Sequence, residues 1–213
     1  MRDRIVRGAL AGSAVLLALD ALALRAGLAS GLLPKLAGSA AWVTSRAAGV
    51  TAFLALTIDV IFGLLLSTGA TDRVIPRATS LELHRWTSAA ALVLTGVHAL
   101  ALLGDRWVRF DVIDLVVPLA SSYRPIAVGL GVVAAHGLLV VHLSFGWRKR
   151  LGPKAWRRLH YASFGVFLAA LAHGLLAGSD TAAPGLRLMY LVALAGVGGL
   201  VVLRAGAGRA RGA

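Results

Sequence analysis

Cysteine is absent from the 213 residues, and acidic side chains are scarce, with nine Asp and Glu against 22 Lys and Arg. Without thiols there is no disulfide scaffold, no Cys-ligated zinc, no cysteine-bound iron–sulfur cluster and no c-type heme attachment. Long polar stretches are missing too. Hydrophobic residues make up 58% of the chain, against roughly 45–50% in a soluble domain. The formal charge is nonetheless +13. A basic nucleic-acid binder spreads Lys and Arg among polar residues along one face. Here the charges form short clusters between apolar runs, the layout of an integral membrane protein. The basicity therefore points to a lipid setting and to no nucleic-acid partner.

A membrane helix needs about 20 mostly apolar residues. The sequence predicts six, near Ile5–Leu24, Trp42–Ser67, Leu81–Leu103, Ile126–Phe145, Leu159–Ala177 and Leu186–Leu203. The first has a rival reading as a signal peptide, because Arg2, Arg4 and Arg7 precede it and Ala21-Leu22-Ala23 mimics a cleavage site. Asp20 beside that site argues for a retained helix. Basic clusters fall on one side of a six-span layout: the N-terminal arginines, Arg73 and Arg77, the Arg148–Arg158 connection, and Arg204, Arg209 and Arg211. Lys/Arg excess marks the cytoplasmic face. The expectation is an all-α, six-helix bundle in the cell membrane with both termini cytoplasmic. Residues 1–40 are read as the first helix and an outer loop, 41–204 as the main membrane domain and 205–213 as a basic tail. Gly196-Val197-Gly198-Gly199 and Gly129-Leu130-Gly131 lie inside apolar spans rather than after a strand. They read as helix-packing positions and not as nucleotide-binding loops.

All six histidines, His84, His98, His136, His142, His160 and His173, fall within or at the edge of predicted spans. Ionisable residues in a membrane are costly and are functional candidates by default, although a neutral His bonded to a carbonyl on the next helix is an equally good reading of any one of them. Their spacing is more specific. His84 and His98 are fourteen positions apart on the third span, and His160 and His173 thirteen apart on the fifth. At 1.5 Å per residue each gap rises roughly 20 Å, about one leaflet to the other. The two spans run parallel, which sets His84 level with His160 near the cytoplasm and His98 level with His173 near the outside. Facing imidazoles at one depth can supply both axial ligands of a heme. One detail resists: thirteen residues leave His160 and His173 roughly 140° apart on an ideal helix. A local distortion, helped by Gly165, or two hemes rotated against each other is expected.

Arg85, Arg157 and Arg158 beside the inner histidines are candidates for heme propionates, though a positive-inside loop would hold them anyway. Arg46 sits in apolar sequence at the outer end of the second span and is the candidate for the outer propionates. Gly96 and Gly174 leave room for a flat macrocycle. His136 and His142 are six apart and point to different faces, so structural roles are favoured over heme contact or proton relay. Asp59 is a buried carboxylate, readable as a proton route or as a partner for a neighbouring helix. Asp105, Asp111 and Asp114 could offer hard ligands to ferric iron or simply balance Arg106 and Arg109 in a solvated loop. Trp42, Trp86, Trp107, Trp147 and Trp156 read as interfacial anchors.

The segments LHRWTSAAALVLTGVHALALL and WRRLHYASFGVFLAALAHGLLAG resemble the paired histidine helices of the ferric reductase-like transmembrane domain. That family includes ferric reductases, the membrane half of NADPH oxidases and the membrane subunit of the bacterial periplasmic methionine sulfoxide reductase system. The resemblance runs from about Trp42 to Leu203. It implies two b-type hemes, held here by His84 with His160 and His98 with His173, and electron flow outward from the cytoplasmic side. No flavin- or nicotinamide-binding segment follows the resemblance. The expectation is therefore an oxidoreductase component fed by quinol or a separate flavoprotein, delivering to ferric iron, oxygen or a partner oxidoreductase. The alternative from a different class is a heme-free transporter or assembly factor whose histidines are structural or bind a metal.

Overall fold

The computed structural model describes residues 40–70, 72, 74–105, 107–178 and 181–210. The first expected span, with Asp20 and the N-terminal arginines, lies outside them, as do Arg73, Arg106 and Asp180. The described residues are helical with no strand: α1 (Ala40–Thr68), α2 (Arg77–Leu102), the short α3 (Val112–Val116), α4 (Pro125–Leu151), α5 (Pro153–Ala177) and α6 (Pro184–Ala210).

Four of these helices are long and apolar enough to cross a membrane: α1, α4, α5 and α6. The sequence reading also expected a span at Leu81–Leu103. That segment forms α2, long enough but diluted by polar residues. Several of these bond neighbouring groups, while Ser80 Oγ is buried without a partner and Arg85 is exposed. The Thr87 hydroxyl donates to Asp59 of α1 at 3.2 Å, Ser88 Oγ lies 3.0 Å from His142 Nδ1 of α4, and Thr95 bonds the Ala91 carbonyl at 2.7 Å. α2 packs along α1, and α4 along α5.

The helix boundaries follow from local chemistry. α4 and α5 are separated by Gly152 alone, whose φ of 75° lies in the left-handed region that glycine adopts without strain. Pro153 then occupies the first turn of α5, where its missing N–H costs nothing. α4 likewise opens on Pro125, after Arg124 at φ 43°. The Arg124 guanidinium donates to the Leu176 carbonyl at 2.7 Å, and the Thr181 hydroxyl lies 3.1 Å from the Gly174 carbonyl, so side chains supply donors to the α5 C-terminus.

The core is small and central: Phe53, Leu56, Val60 and Leu64 of α1 meet Leu138 of α4, Val166, Phe167 and Leu171 of α5, and Tyr190, Ala193 and Val197 of α6. Phe167 is 1% exposed and stacks on Phe53 with ring centres 5.7 Å apart. Large apolar side chains such as Val93, Leu100, Ile126, Leu191 and Val202 face outward. A soluble fold would bury them; a lipid-facing surface does not need to. Gly196, Gly198 and Gly199, expected at a packing contact, have nothing within 4 Å of where a Cβ would stand.

Candidate functional site

Two cavities lie between the helices, one toward each end. The cavity at the end bearing the α2–α4 loop, called outer and its counterpart inner after the topology predicted from the charges, has a volume of about 840 Å³ and is lined by His98, His173, Ser45, Arg46 and Trp42, with Phe110 and Tyr123 from the loop. The other, of about 940 Å³, is lined by His84, His160, Asp59 and His142, with Arg85, Arg157 and Arg204. Leu56, Leu138 and Val166 line both, so the wall between the cavities is apolar.

In each cavity two imidazoles face each other across a gap. The His84 and His160 ring centres are 6.0 Å apart with planes at 82°, and those of His98 and His173 are 6.0 Å apart with planes at 76°. This separation is informative. With metal–imidazole bonds of about 2.0–2.1 Å and about 1 Å from nitrogen to ring centre, two rings gripping one metal from opposite sides have centres about 6 Å apart.

Three of the four rings have Nδ1 committed elsewhere. His98 Nδ1 donates to the Ser45 carbonyl at 2.7 Å, with Ser45 Oγ at 3.0 Å; the Ser45 hydroxyl returns a bond to the His98 carbonyl at 3.1 Å. His173 Nδ1 donates to the Ala127 carbonyl at 2.8 Å. His84 Nδ1 lies 2.7 Å from Asp59 Oδ1 and 3.0 Å from the Asp59 carbonyl. A carbonyl accepts only, so the ring proton sits on Nδ1 and the Nε2 lone pair is left for a metal. His160 Nδ1 is buried without a partner, and the ring stacks on Trp156 at 5.0 Å.

Glycines on the adjacent helix admit these rings. A Cβ on Gly131 would stand 2.6 Å from His173 Nδ1, one on Gly49 2.8 Å from His98 Nδ1, and one on Gly63 3.3 Å from His84 Cε1. Sequence reasoning missed Gly49 and Gly63 and treated Gly131 as a helix-packing position. Gly96 and Gly174 play no such part: Gly96 has open space beside it, and Gly174 makes room for the Tyr190 hydroxyl.

For α5 the sequence predicted a local distortion or two hemes rotated against each other, and the helix shows no break. The helix runs unbroken from Pro153 to Ala177, and the space beside Gly165 is open. His160 and His173 each meet a partner from different azimuths of a regular helix.

The remaining candidates separate. Arg46 lines the outer cavity with its guanidinium 4.6 Å over the Trp42 ring. Arg85 and Arg157 line the inner cavity, where Arg85 is 3.5 Å from Glu82. Arg158 is exposed and does not line it. Arg204 does, holding the Tyr161 hydroxyl at 3.0 Å; in the sequence it counted only as a topology charge. His142 lines the inner cavity, while His136 is exposed on α4 and lines neither. Asp105 accepts the Trp107 N–H at 2.8 Å, and Asp111 and Asp114 form the capping box of α3, so these carboxylates serve the loop backbone. Trp156, read as an interfacial anchor, is packed against His160 with a buried indole N–H.

A flat macrocycle fits this arrangement. Each cavity is near the upper end of the roughly 300–1,000 Å³ usual for ligand sites, with a mostly apolar lining, two imidazoles whose ring centres are 6.0 Å apart, and arginines among its lining residues. Among the described residues no three His, Asp or Glu side chains gather as a cage for a bare ion. Residues 48–171, more than half of the chain and the stretch that carries His84, His98 and His160, match the family model described as ferric reductase like transmembrane component, and His173 follows two residues beyond it. The chain belongs to that family. Comparison with curated proteins and with solved structures found no match. Family and helices together make this a multi-pass membrane protein of the ferric reductase-like type, a type associated with heme and membrane electron transfer.

Proposed function

We propose that the protein carries electrons across the cell membrane through two b-type hemes, one in each cavity. His84 and His160 would hold the inner heme, and His98 and His173 the outer. The carrying observation is the pair of 6.0 Å ring separations, together with the Nδ1 acceptors that leave Nε2 free at His84, His98 and His173. Bis-histidine heme supplies one-electron exchange without ligand loss.

The chain's own residues bind, orient and insulate. Leu56, Leu138 and Val166 keep the partition between the sites dry. Arg46 at the outer cavity and Arg85, Arg157 and Arg204 at the inner one offer donors to anionic propionates. The basic α4–α5 connection supports, by the positive-inside rule, an orientation with the inner cavity at the cytoplasmic face of a six-span bundle whose termini are both inside. Electrons enter there from quinol or a separate flavoprotein and leave from the outer cavity to ferric iron, oxygen or a partner oxidoreductase.

Vesicles test this. With purified protein reconstituted into liposomes, ferricyanide trapped inside and reduced flavin mononucleotide added outside, the trapped ferricyanide should be consumed much faster than in protein-free vesicles. Equal rates in the two would contradict transmembrane electron transfer.

A further inference from the structure

His84 differs from the other facing histidines in what holds its Nδ1. His98 and His173 donate to backbone carbonyls, of Ser45 at 2.7 Å and of Ala127 at 2.8 Å. His160 Nδ1 has no partner. His84 alone meets a carboxylate, Asp59 Oδ1 at 2.7 Å, on a side chain only 10% exposed. The Thr87 hydroxyl approaches the same Oδ1 at 3.2 Å and shares its single proton between this oxygen and the Leu83 and His84 carbonyls at 3.0 and 3.1 Å. This carboxylate–imidazole couple raises the basicity of the nitrogen on the far side of the ring, and such partners tune a bound metal.

We infer that Asp59 is a positioning residue that lowers the reduction potential of the inner site below that of the outer. The inference deepens the two-heme reading and rests on it. A carboxylate drawing on the Nδ1 proton makes His84 the more electron-donating ligand, which favours the oxidised metal. At the outer site the ligands meet only neutral carbonyls, and Arg46 lines the cavity, favouring the reduced metal. The inner cavity also has cations, Arg77, Arg85, Arg157 and Arg204. Arg77 is paired with Asp72 at 3.3 Å and Arg85 with Glu82 at 3.5 Å, and both arginines are more than half exposed. The fields of these two and of the exposed Arg157 are screened by solvent. Among the described residues Arg204 is half-buried and bonded only to the Tyr161 hydroxyl, so its charge opposes the carboxylate, but Asp59 is buried one hydrogen bond from a ligand. The carboxylate therefore dominates. The step it biases is the transfer of one electron from the inner site to the outer. No bond forms or breaks and no proton moves; the cytoplasmic-side donor is the reductant and the external acceptor the oxidant. The asymmetry makes that step downhill in the outward direction.

The test is a redox titration of the purified holoprotein at fixed pH, followed optically, with the outer heme identified by its loss in His98→Ala. Asp59→Asn keeps an acceptor of the same shape without the charge. It should raise the inner midpoint potential and leave the outer one in place. Thr87→Val removes the hydroxyl that competes for Oδ1, and should shift the inner potential in the opposite direction by less. Two bound hemes with unmoved potentials in Asp59→Asn would overturn the inference. If Asp59→Asn does not retain the inner heme, Thr87→Val decides: an unmoved inner potential there overturns it. A wild-type protein without heme would overturn the two-heme reading itself, and this inference with it.

Discussion

Replacing His98 with alanine is expected to remove about half of the heme and leave the rest spectrally intact. The ring faces His173 across 6.0 Å and no other described imidazole lines the outer cavity, so no substitute ligand is at hand. The inner pair sits behind the apolar wall of Leu56, Leu138 and Val166 and should keep its heme. The substitution also deletes the bond to the Ser45 carbonyl, but α1 and α2 pack along their length, so the helix pair should persist. Transmembrane transfer to trapped ferricyanide should fall to the protein-free background, because outward delivery needs the second site. Pyridine hemochrome quantification against protein concentration reads the first effect. Full retention of heme would show that His98 is not a ligand.

Gly131→Val is expected to have a comparable effect without touching a histidine. Even a single Cβ at this position would stand 2.6 Å from His173 Nδ1 and 2.7 Å from Cε1, far inside contact distance. The backbone of a packed helix cannot yield that much, so the His173 ring must swing away and lose both its Ala127 carbonyl and its alignment with His98. Helix propensity works the other way, since glycine is worse than an ordinary residue by a few tenths to about 1 kcal/mol in a helix. A loss of heme therefore could not be assigned to a weakened α4. Gly165→Ala is the matched control: its Cβ meets nothing within 4 Å, and full heme content is expected. The same heme count measures both, and an unchanged count in Gly131→Val would contradict the proposed geometry around His173.

What the sequence revealed of this site, and what it hid, has physical reasons. Histidines at fourteen- and thirteen-residue spacing on two apolar segments were visible because the side chain is rare there and helical rise converts spacing into depth. Their acceptors were not visible: the Ser45 and Ala127 carbonyls belong to the backbone, which has no residue signature. Asp59 stood out as a buried carboxylate, but nothing local reveals that the residue 25 positions later is its partner. Gly49, Gly63 and Gly131 were lost among 25 glycines, which are common in membrane helices for many reasons. Arg158 and Arg204 show the limit of counting charges. Both count toward the same side of the bilayer, and only packing puts Arg204 at the inner cavity and Arg158 outside it. The thirteen-residue spacing in α5 left two alternatives, a local distortion or two hemes rotated against each other, because an ideal helix aims its two histidines at different faces. A regular helix serves because each ring meets its own partner in its own cavity. α2, expected as a span from the sequence, is more polar than the four apolar helices, and several of its polar residues line the sites or contact the helices behind them.

The most direct measurement is the heme content and the dithionite-reduced-minus-oxidised spectrum of the purified wild-type protein. Two b-type hemes per chain, both six-coordinate and low-spin, are the predicted result. A colourless protein, or a single heme that survives in both His84→Ala and His98→Ala, would contradict it.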